Sequence, residues 1–417
     1  MTVISVEETV LDNGLPLVRL GMDGTRAVTL LVAFDAGAGT ELPEENGIAH
    51  FLDHIVFKGG ERYPTYREVT HTAERLGAQI NAYTTHDVVA FHVNCRGEAV
   101  MEAADLLTDF VARAHIDADE LDRERGVVIQ EIARAEDQPP AVAGNLLGRA
   151  AYGDHPRGRT VLGPAEHLES FTREQVVAFR DRRWSPTHGG AFVAGDLSHL
   201  DTARLGELLG RFADLPEPPA AEPAPSFERR VVVDQRDTHQ SHLRMHWRAP
   251  IDPADQDQRA ALAVYATLLG GSMGSRLFEE IRERRGLCYS VWARGGVHPG
   301  TAGLNAGAGL ESAKCIEAYE RIVEIVHELA TDGPTPGEVD RARAYAAGSL
   351  VLALERSSAV ASRVAERKIV FGEAPAPEEA VDAIDAVTEQ DVQAIAELIT
   401  GTPTVACVGP HPASDFE

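Results

Sequence analysis

The segment from Leu215 to Arg230, LPEPPAAEPAPSFERR, cuts the chain near its middle, and the two sides repeat one another in outline. At 417 residues the chain is too long for one ordinary core and suits two domains of roughly 200 residues. The Pro- and Ala-rich segment has little to bury and reads as an extended interdomain linker. The expected division is residues 1–214, a linker over 215–230, and residues 231–417. Setting Asp122-Arg123 on Asp340-Arg341 aligns a predicted helix of the first half with one of the second. Setting Gly59-Gly60 on Gly270-Gly271 aligns HFLDHIVFKGG with the stretch that ends AVYATLLGG. This is the pattern of an old duplication. Each half alternates apolar strands (VTLLVAFDAG and VVAFHVNC; HLRMHWRAP and LNAGAGL) with long amphipathic helices. The expected fold is α+β: two homologous domains, each an antiparallel β-sheet covered by helices.

The repeat is asymmetric in one respect. His50, Asp53 and His54 align with Ala261, Val264 and Tyr265, and Glu131 aligns with Ser349. Only the first half offers metal ligands. In GIAHFLDHIVFKG, Ile48, Phe51, Leu52, Ile55 and Val56 form an apolar stripe at helical spacing. At about 100° per residue, His50 and His54 fall on the side away from it, with Asp53 flanking them. With 16 histidines in the chain, roughly 0.6 such pairs are expected by chance, so the pair needs a third ligand to carry weight. Two imidazoles one turn apart bind one zinc, and a catalytic zinc usually has three protein ligands. Glu124 and Glu131 lie two turns apart on one face of a predicted helix, about 10 Å along the axis, so only one of them reaches the metal. Spacing leaves open which.

Composition narrows the alternatives. A net charge of -26 argues against a nucleic-acid partner; an acidic surface attracts basic peptides and would also suit a binder of them. No apolar run approaches the roughly 20 residues of a membrane span. The first residues, MTVISVEETVLDNG, lack a basic stretch followed by an apolar one, so a cytoplasmic location is expected. Cys95, Cys288, Cys315 and Cys407 are far apart and read as reduced thiols. His239, His242 and His246 occupy a predicted strand with no acid at ligand spacing and are expected to be structural, while His86 and His92 read as pocket lining or structure.

These stretches meet in one resemblance. ENGIAHFLDHIVFKG, NAYTTHDVVAFHV, ERGVVIQEI and YGDHPRGRTVLG resemble the pitrilysin, insulysin and mitochondrial-processing-peptidase family in its small bacterial two-domain form. Those zinc peptidases carry an inverted H-x-x-E-H motif and a Glu ligand at about the distance of Glu131. The resemblance covers nearly the whole chain. It implies that His50, His54 and Glu131 bind zinc, and that Glu124 orients a ligand histidine from behind. It implies that Asp53 takes a proton from the water held by the zinc and later gives it to the leaving amine. GSRLFEEIRERRGLCYSVWA in the second half fits the family's R-E-x-x-G-L-x-Y-S pattern; Arg282 and Tyr289 would there steady the oxyanion of the substrate, while Arg276, Arg284 and Arg285 read as surface residues. Asn81 and Ala82 match the stretch that lets an extended peptide add as a strand. A peptide substrate and a homodimer enclosing a chamber are what the resemblance implies for partners.

One departure stands out. Asp53 occupies the position of the family's Glu, and Asp87 likewise follows the substrate strand where the family has Glu. The Asp53 carboxylate reaches about 1.5 Å less far, the length of one carbon–carbon bond. Two readings follow: a zinc endopeptidase in which Asp53 activates the water, or a non-catalytic zinc-binding homologue serving as a peptide-binding or scaffold subunit. The first is favoured because His50, His54, Glu124, Glu131, Arg282 and Tyr289 are all present.

Overall fold

A computed structural model describes residues 4–213, 215–216, 218 and 226–417. The middle of the expected linker, residue 217 and residues 219–225, lies outside the described residues. The chain forms two compact units, each built around one sheet.

In the first unit the sheet contains β1 (Ile4–Val10), β2 (Pro16–Met22), β3 (Ala27–Phe34), β4 (Gln79–Thr84), β5 (Val89–Arg96) and β6 (Gly189–Gly195), in the order β1-β2-β6-β3-β5-β4. The second sheet contains β7 (Val231–Gln235), β8 (Gln240–Arg248), β9 (Cys288–His298), β10 (Thr301–Glu311) and β11 (Thr404–Gly409), in the order β7-β11-β8-β10-β9. Without β1 the first order becomes β2-β6-β3-β5-β4, strand for strand the order of the second. The 19-residue helices Ala118–Glu136 and Pro336–Leu354 stand 218 positions apart (336 − 118), the offset that Asp122 and Asp340 set. The duplication is therefore visible in topology as well as in sequence.

Two features depart from the expected architecture. Neither sheet is purely antiparallel: β6 runs parallel to β2, and β11 runs parallel to β7. In both units the last strand inserts between the first and second strands of the repeat. A strand that returns from a long helical excursion can enter in either direction, so hairpin reasoning does not foresee it. The linker also separates the sheets but not the units. The helix Ser357–Phe371, from beyond the linker, packs on β3 and β6, while Pro139–Tyr152, from before it, packs on β8 and β11. Thr29 of β3 seals the first of these contacts, sharing a buried hydrogen bond of 2.9 Å with Ser357.

This covering helix explains why β3, AVTLLVAF, is apolar almost throughout. A strand covered on both faces loses the alternation of a half-exposed one, and all of β3 except Ala27 is buried. On the opposite face, Ile48–Ile55 and Val100–Ala112 pack against β5. The apolar stripe of the motif helix is sunk there: Ile48, Phe51, Leu52, Ile55 and Val56 are fully buried in one core cluster. That burial fixes which side of the helix faces outward. Among the described residues no helix is long and apolar enough to cross a membrane.

Candidate metal centre

Sinking the stripe leaves His50 and His54 half-buried on the outer side of the motif helix, their rings 4.7 Å apart between centroids. The helix Ala118–Glu136 brings both acids to them, and the structure separates their roles. Glu131 Oε2 lies 3.8 Å from His50 Nε2 and 3.5 Å from His54 Nε2. Glu124 sits behind: its Oε1 accepts a hydrogen bond of 2.8 Å from His54 Nδ1, and its Oε2 pairs with Lys58. Burial opposes ionisation of Glu124, but the hydrogen bonds from His54 and Lys58 outweigh it and hold the carboxyl below its usual range.

This arrangement fits a cation. The partnership with Glu124 assigns the His54 proton to Nδ1, which leaves Nε2 an acceptor aimed at another acceptor, the Glu131 carboxylate. Burial, with help from the neighbouring His54, pushes His50 down to about 4 and keeps it neutral, the form that binds metal. Ligand atoms about 2.0–2.1 Å from a tetrahedral zinc lie about 3.3–3.4 Å apart, so the spacings of 3.5 and 3.8 Å need only a small contraction. Burial tends to lower His54 too, but the Glu124 hydrogen bond and the charges of Asp53, Glu124 and Glu131 raise it overall. His50 Nδ1 is buried with no hydrogen-bond partner among the described residues, so only one of the two histidines is oriented from behind.

Asp53 is a second acid within reach. The ligand atoms of His50, Asp53 and His54 lie within 4.8 Å of one another. Glu131 fits the metal position better, because it approaches both Nε2 atoms more closely than the 4.0 Å between Asp53 Oδ1 and His54 Nε2. The other Asp53 oxygen is occupied: Thr84 Oγ1 donates to Oδ2. Asp53 is 5% exposed, and burial is what pushes its carboxyl up to about 7, against the Thr84 hydrogen bond and the His54 charge and with help from Glu131. A cation held by the histidines would draw it down again.

Thr84 ends β4, the edge strand that carries Asn81 and Ala82. Thr85 N donates to Val88 O, so antiparallel alternation turns the backbone groups of Ile80, Ala82 and Thr84 to the unpaired edge. The Ala82 N–H is held there by the Asn81 side chain at 2.9 Å. An open edge thus finishes at the residue that holds Asp53, an arrangement suited to an added peptide strand. Asp87 lies in the turn that follows, its carbonyl bonded to Gly37 N.

In the second unit, Arg282 and Tyr289 are brought together. The Arg282 guanidinium stands 5.4 Å from the Tyr289 ring centroid and 4.6 Å from that of Phe278. Tyr289 is 84% exposed near the start of β9, the edge strand of its sheet. Arg276 is not the surface residue expected from sequence: it is half-buried and forks onto Glu338, with contacts of 2.7 and 2.8 Å. No second metal cluster occurs among the described residues. His246 is buried and its Nδ1 meets Asn305 Oδ1 at 3.0 Å.

Sequence reasoning missed three contributors. Thr84 and Lys58 lie inside stretches singled out for other reasons, and no spacing rule links them to Asp53 or Glu124. The third is Glu41, buried at the head of the motif helix. The distant YGDHPRGRTVLG stretch also finds its reason here. Thr160 O accepts from Asn46 Nδ2, and Gly163 packs so closely that a Cβ would meet Asn46 O at 2.3 Å.

Residues 18–165 match the family model described as Insulinase (Peptidase family M16), and residues 170–345 match the Peptidase M16 inactive domain. An uncharacterized zinc protease of Mycobacterium leprae is 30% identical, with 97% of this chain and 91% of that protein covered. One from Bacillus subtilis is 29% identical over 95% of this chain and 97% of its own length. Among solved structures, a peptidase M16 inactive domain from Pseudomonas fluorescens has a TM-score of 0.89 at 20% identity, covering 98% of this chain and 99% of that one. A protease from Helicobacter pylori has a TM-score of 0.85 at 20% identity, covering 98% and 100%.

Proposed function

This chain belongs to peptidase family M16, and on that premise we propose that it is a zinc-dependent endopeptidase in which Asp53 does the work of the usual glutamate. The observation that carries the reading is the convergence of His50 Nε2, His54 Nε2 and Glu131 Oε2 on one point beside a buried Asp53. When bound there, zinc polarises the scissile carbonyl and makes water a better nucleophile.

The protein's residues supply the rest. Glu124 holds His54 in the tautomer that presents Nε2. Asp53 Oδ1 accepts the proton of the attacking water and returns it to the departing amine. Thr84, by holding Oδ2, leaves Oδ1 as the free oxygen and fixes its direction. That restraint is how a carboxylate shorter by one carbon serves: what it loses in reach it regains in orientation. Asn81 and Ala82 lie on the edge strand, where an extended peptide would pair. Arg282 and Tyr289 are assigned to the substrate oxyanion, and their mutual stacking supports a shared role. A homodimer in the cytoplasm completes the reading.

The alternative, a non-catalytic homologue, rests on Asp53 alone. The test is incubation of purified protein with a mixture of unstructured peptides, followed by mass spectrometry. Cleavage that a chelator stops and zinc restores is expected; zinc-loaded protein that leaves every peptide intact would favour the alternative.

A further inference from the structure

The motif helix has no cap of its own. Its N-cap residue is Gly47, at φ 103°, which offers no side chain to the first turn. A Cβ at Gly47 would also meet Leu162 O at 2.7 Å, so a capping Ser or Asp cannot be accommodated there. The acceptor comes instead from six residues upstream. Glu41 is 3% exposed, and its carboxylate spans the turn: Oε1 accepts from Ala49 N at 2.9 Å and Oε2 from Gly47 N at 3.0 Å. Oε2 also accepts from Asn46 Nδ2 at 2.9 Å, and Asn46 ties the same turn to Thr160.

Such an anchor does more than satisfy donors. Ala49 N is gripped one residue before His50, and a helix of eight residues transmits any shift of its first turn to His50, Asp53 and His54 together. Two fixed bonds from one planar group restrain both rotation about the axis and sliding along it. Beyond the other end, Asp109 Oδ2 accepts from Arg62 N and Tyr63 N.

We infer that Glu41 is a positioning residue of the metal centre: its carboxylate, locked on Gly47 and Ala49, sets the place of the motif helix and thereby the metal geometry of His50 and His54. The inference rests on the zinc reading, so its test is metal binding and not turnover. Full-length apoprotein is titrated with zinc against a chromophoric chelator, and the visible spectrum of the cobalt(II)-loaded protein is recorded. Glu41→Gln keeps the shape but sets an NH2 group against an N–H donor. It is expected to weaken zinc binding about 10- to 100-fold, in the range of other groups that orient metal ligands, and to shift the cobalt bands. Glu41→Asp, too short to span both N–H groups, is expected to behave the same way and serves if the Gln variant does not fold. Asp201→Ala, which removes the N-cap of Thr202–Leu209, controls for simple loss of a cap. It should lower the melting temperature and leave zinc affinity and the cobalt spectrum alone. Zinc affinity within threefold of wild type and an unchanged cobalt spectrum in both Glu41 variants would overturn the inference. Wild-type protein that binds no zinc would instead overturn the metal reading beneath it.

Discussion

The motif helix and its counterpart across the duplication begin from the same frame and end as different objects. In the first unit, His50 and His54 remain half-buried and face Glu131; in the second, Ala261, Val264 and Tyr265 occupy the aligned positions and are all buried. The backbone around them is kept. A Cβ on Gly59 would meet Pro64 C at 2.5 Å, and one on Gly270, the aligned position, would meet Ala293 N at 2.4 Å, so the first glycine of each pair is required by close backbone approach. The frame is therefore held by packing, and the units differ at the polar side chains set on it. Replacing the polar groups with Ala, Val and Tyr turns the same position into core. The match of residues 170–345 to a domain described as inactive agrees with that contrast.

The comparison breaks most completely at the metal. About one zinc per chain is expected by elemental analysis, lost on His54→Ala or Glu131→Gln and retained in Tyr265→Phe. A second zinc, or zinc that survives Glu131→Gln, would erase the asymmetry. Next in size, Arg282→Ala should lower kcat about 10²- to 10³-fold with zinc content intact, the usual loss for an oxyanion donor. Equal loss of zinc and turnover would remove Arg282 from that role. Thr84→Val should lower kcat about tenfold while zinc stays bound, and Thr84→Ser should restore it, since the hydroxyl alone orients Asp53. A KM effect without a kcat effect would assign Thr84 to the peptide strand instead.

The smallest effect tests the second unit alone. Arg276, the first cause, together with Thr335, holds the Glu338 carboxyl down at about 2, against an ordinary value near 4.5. A depressed acid stabilises the fold above its unfolded value, and that contribution is lost as pH falls from about 4.5 toward 2. Glu338→Gln should flatten this part of the stability profile, measured by thermal melts between pH 5 and 3. An unchanged slope would show that the fork contributes nothing.

Much of this was legible in the sequence, and the reason is locality. The Ile48–Val56 stripe fixed the outward face of His50 and His54 because helical periodicity is a property of neighbours. The offset between the 19-residue helices was readable for the same reason. What stayed hidden depends on distant segments meeting. Spacing could not choose between Glu124 and Glu131, since the helix carrying them had to be docked first. Nothing linked Thr84 to Asp53 or Glu41 to Ala49 before β4 and the loop after β3 were placed. The parallel entry of β6 and β11, and the helices traded across the linker, are likewise long-range. Arg276 looked like one arginine among several until Glu338 was folded against it.

Asp53 is proposed to act as the base of the metal centre despite its length. The most direct measurement compares wild type, Asp53→Asn and Asp53→Glu on one peptide mixture, with zinc content determined for each. Cleavage by wild type is expected, with a loss of about 10²- to 10⁴-fold in Asp53→Asn, the span typical of a removed general base, and zinc unchanged. Wild type that cleaves nothing while zinc-loaded Asp53→Glu cleaves would contradict the claim and make this chain a binding homologue of a peptidase.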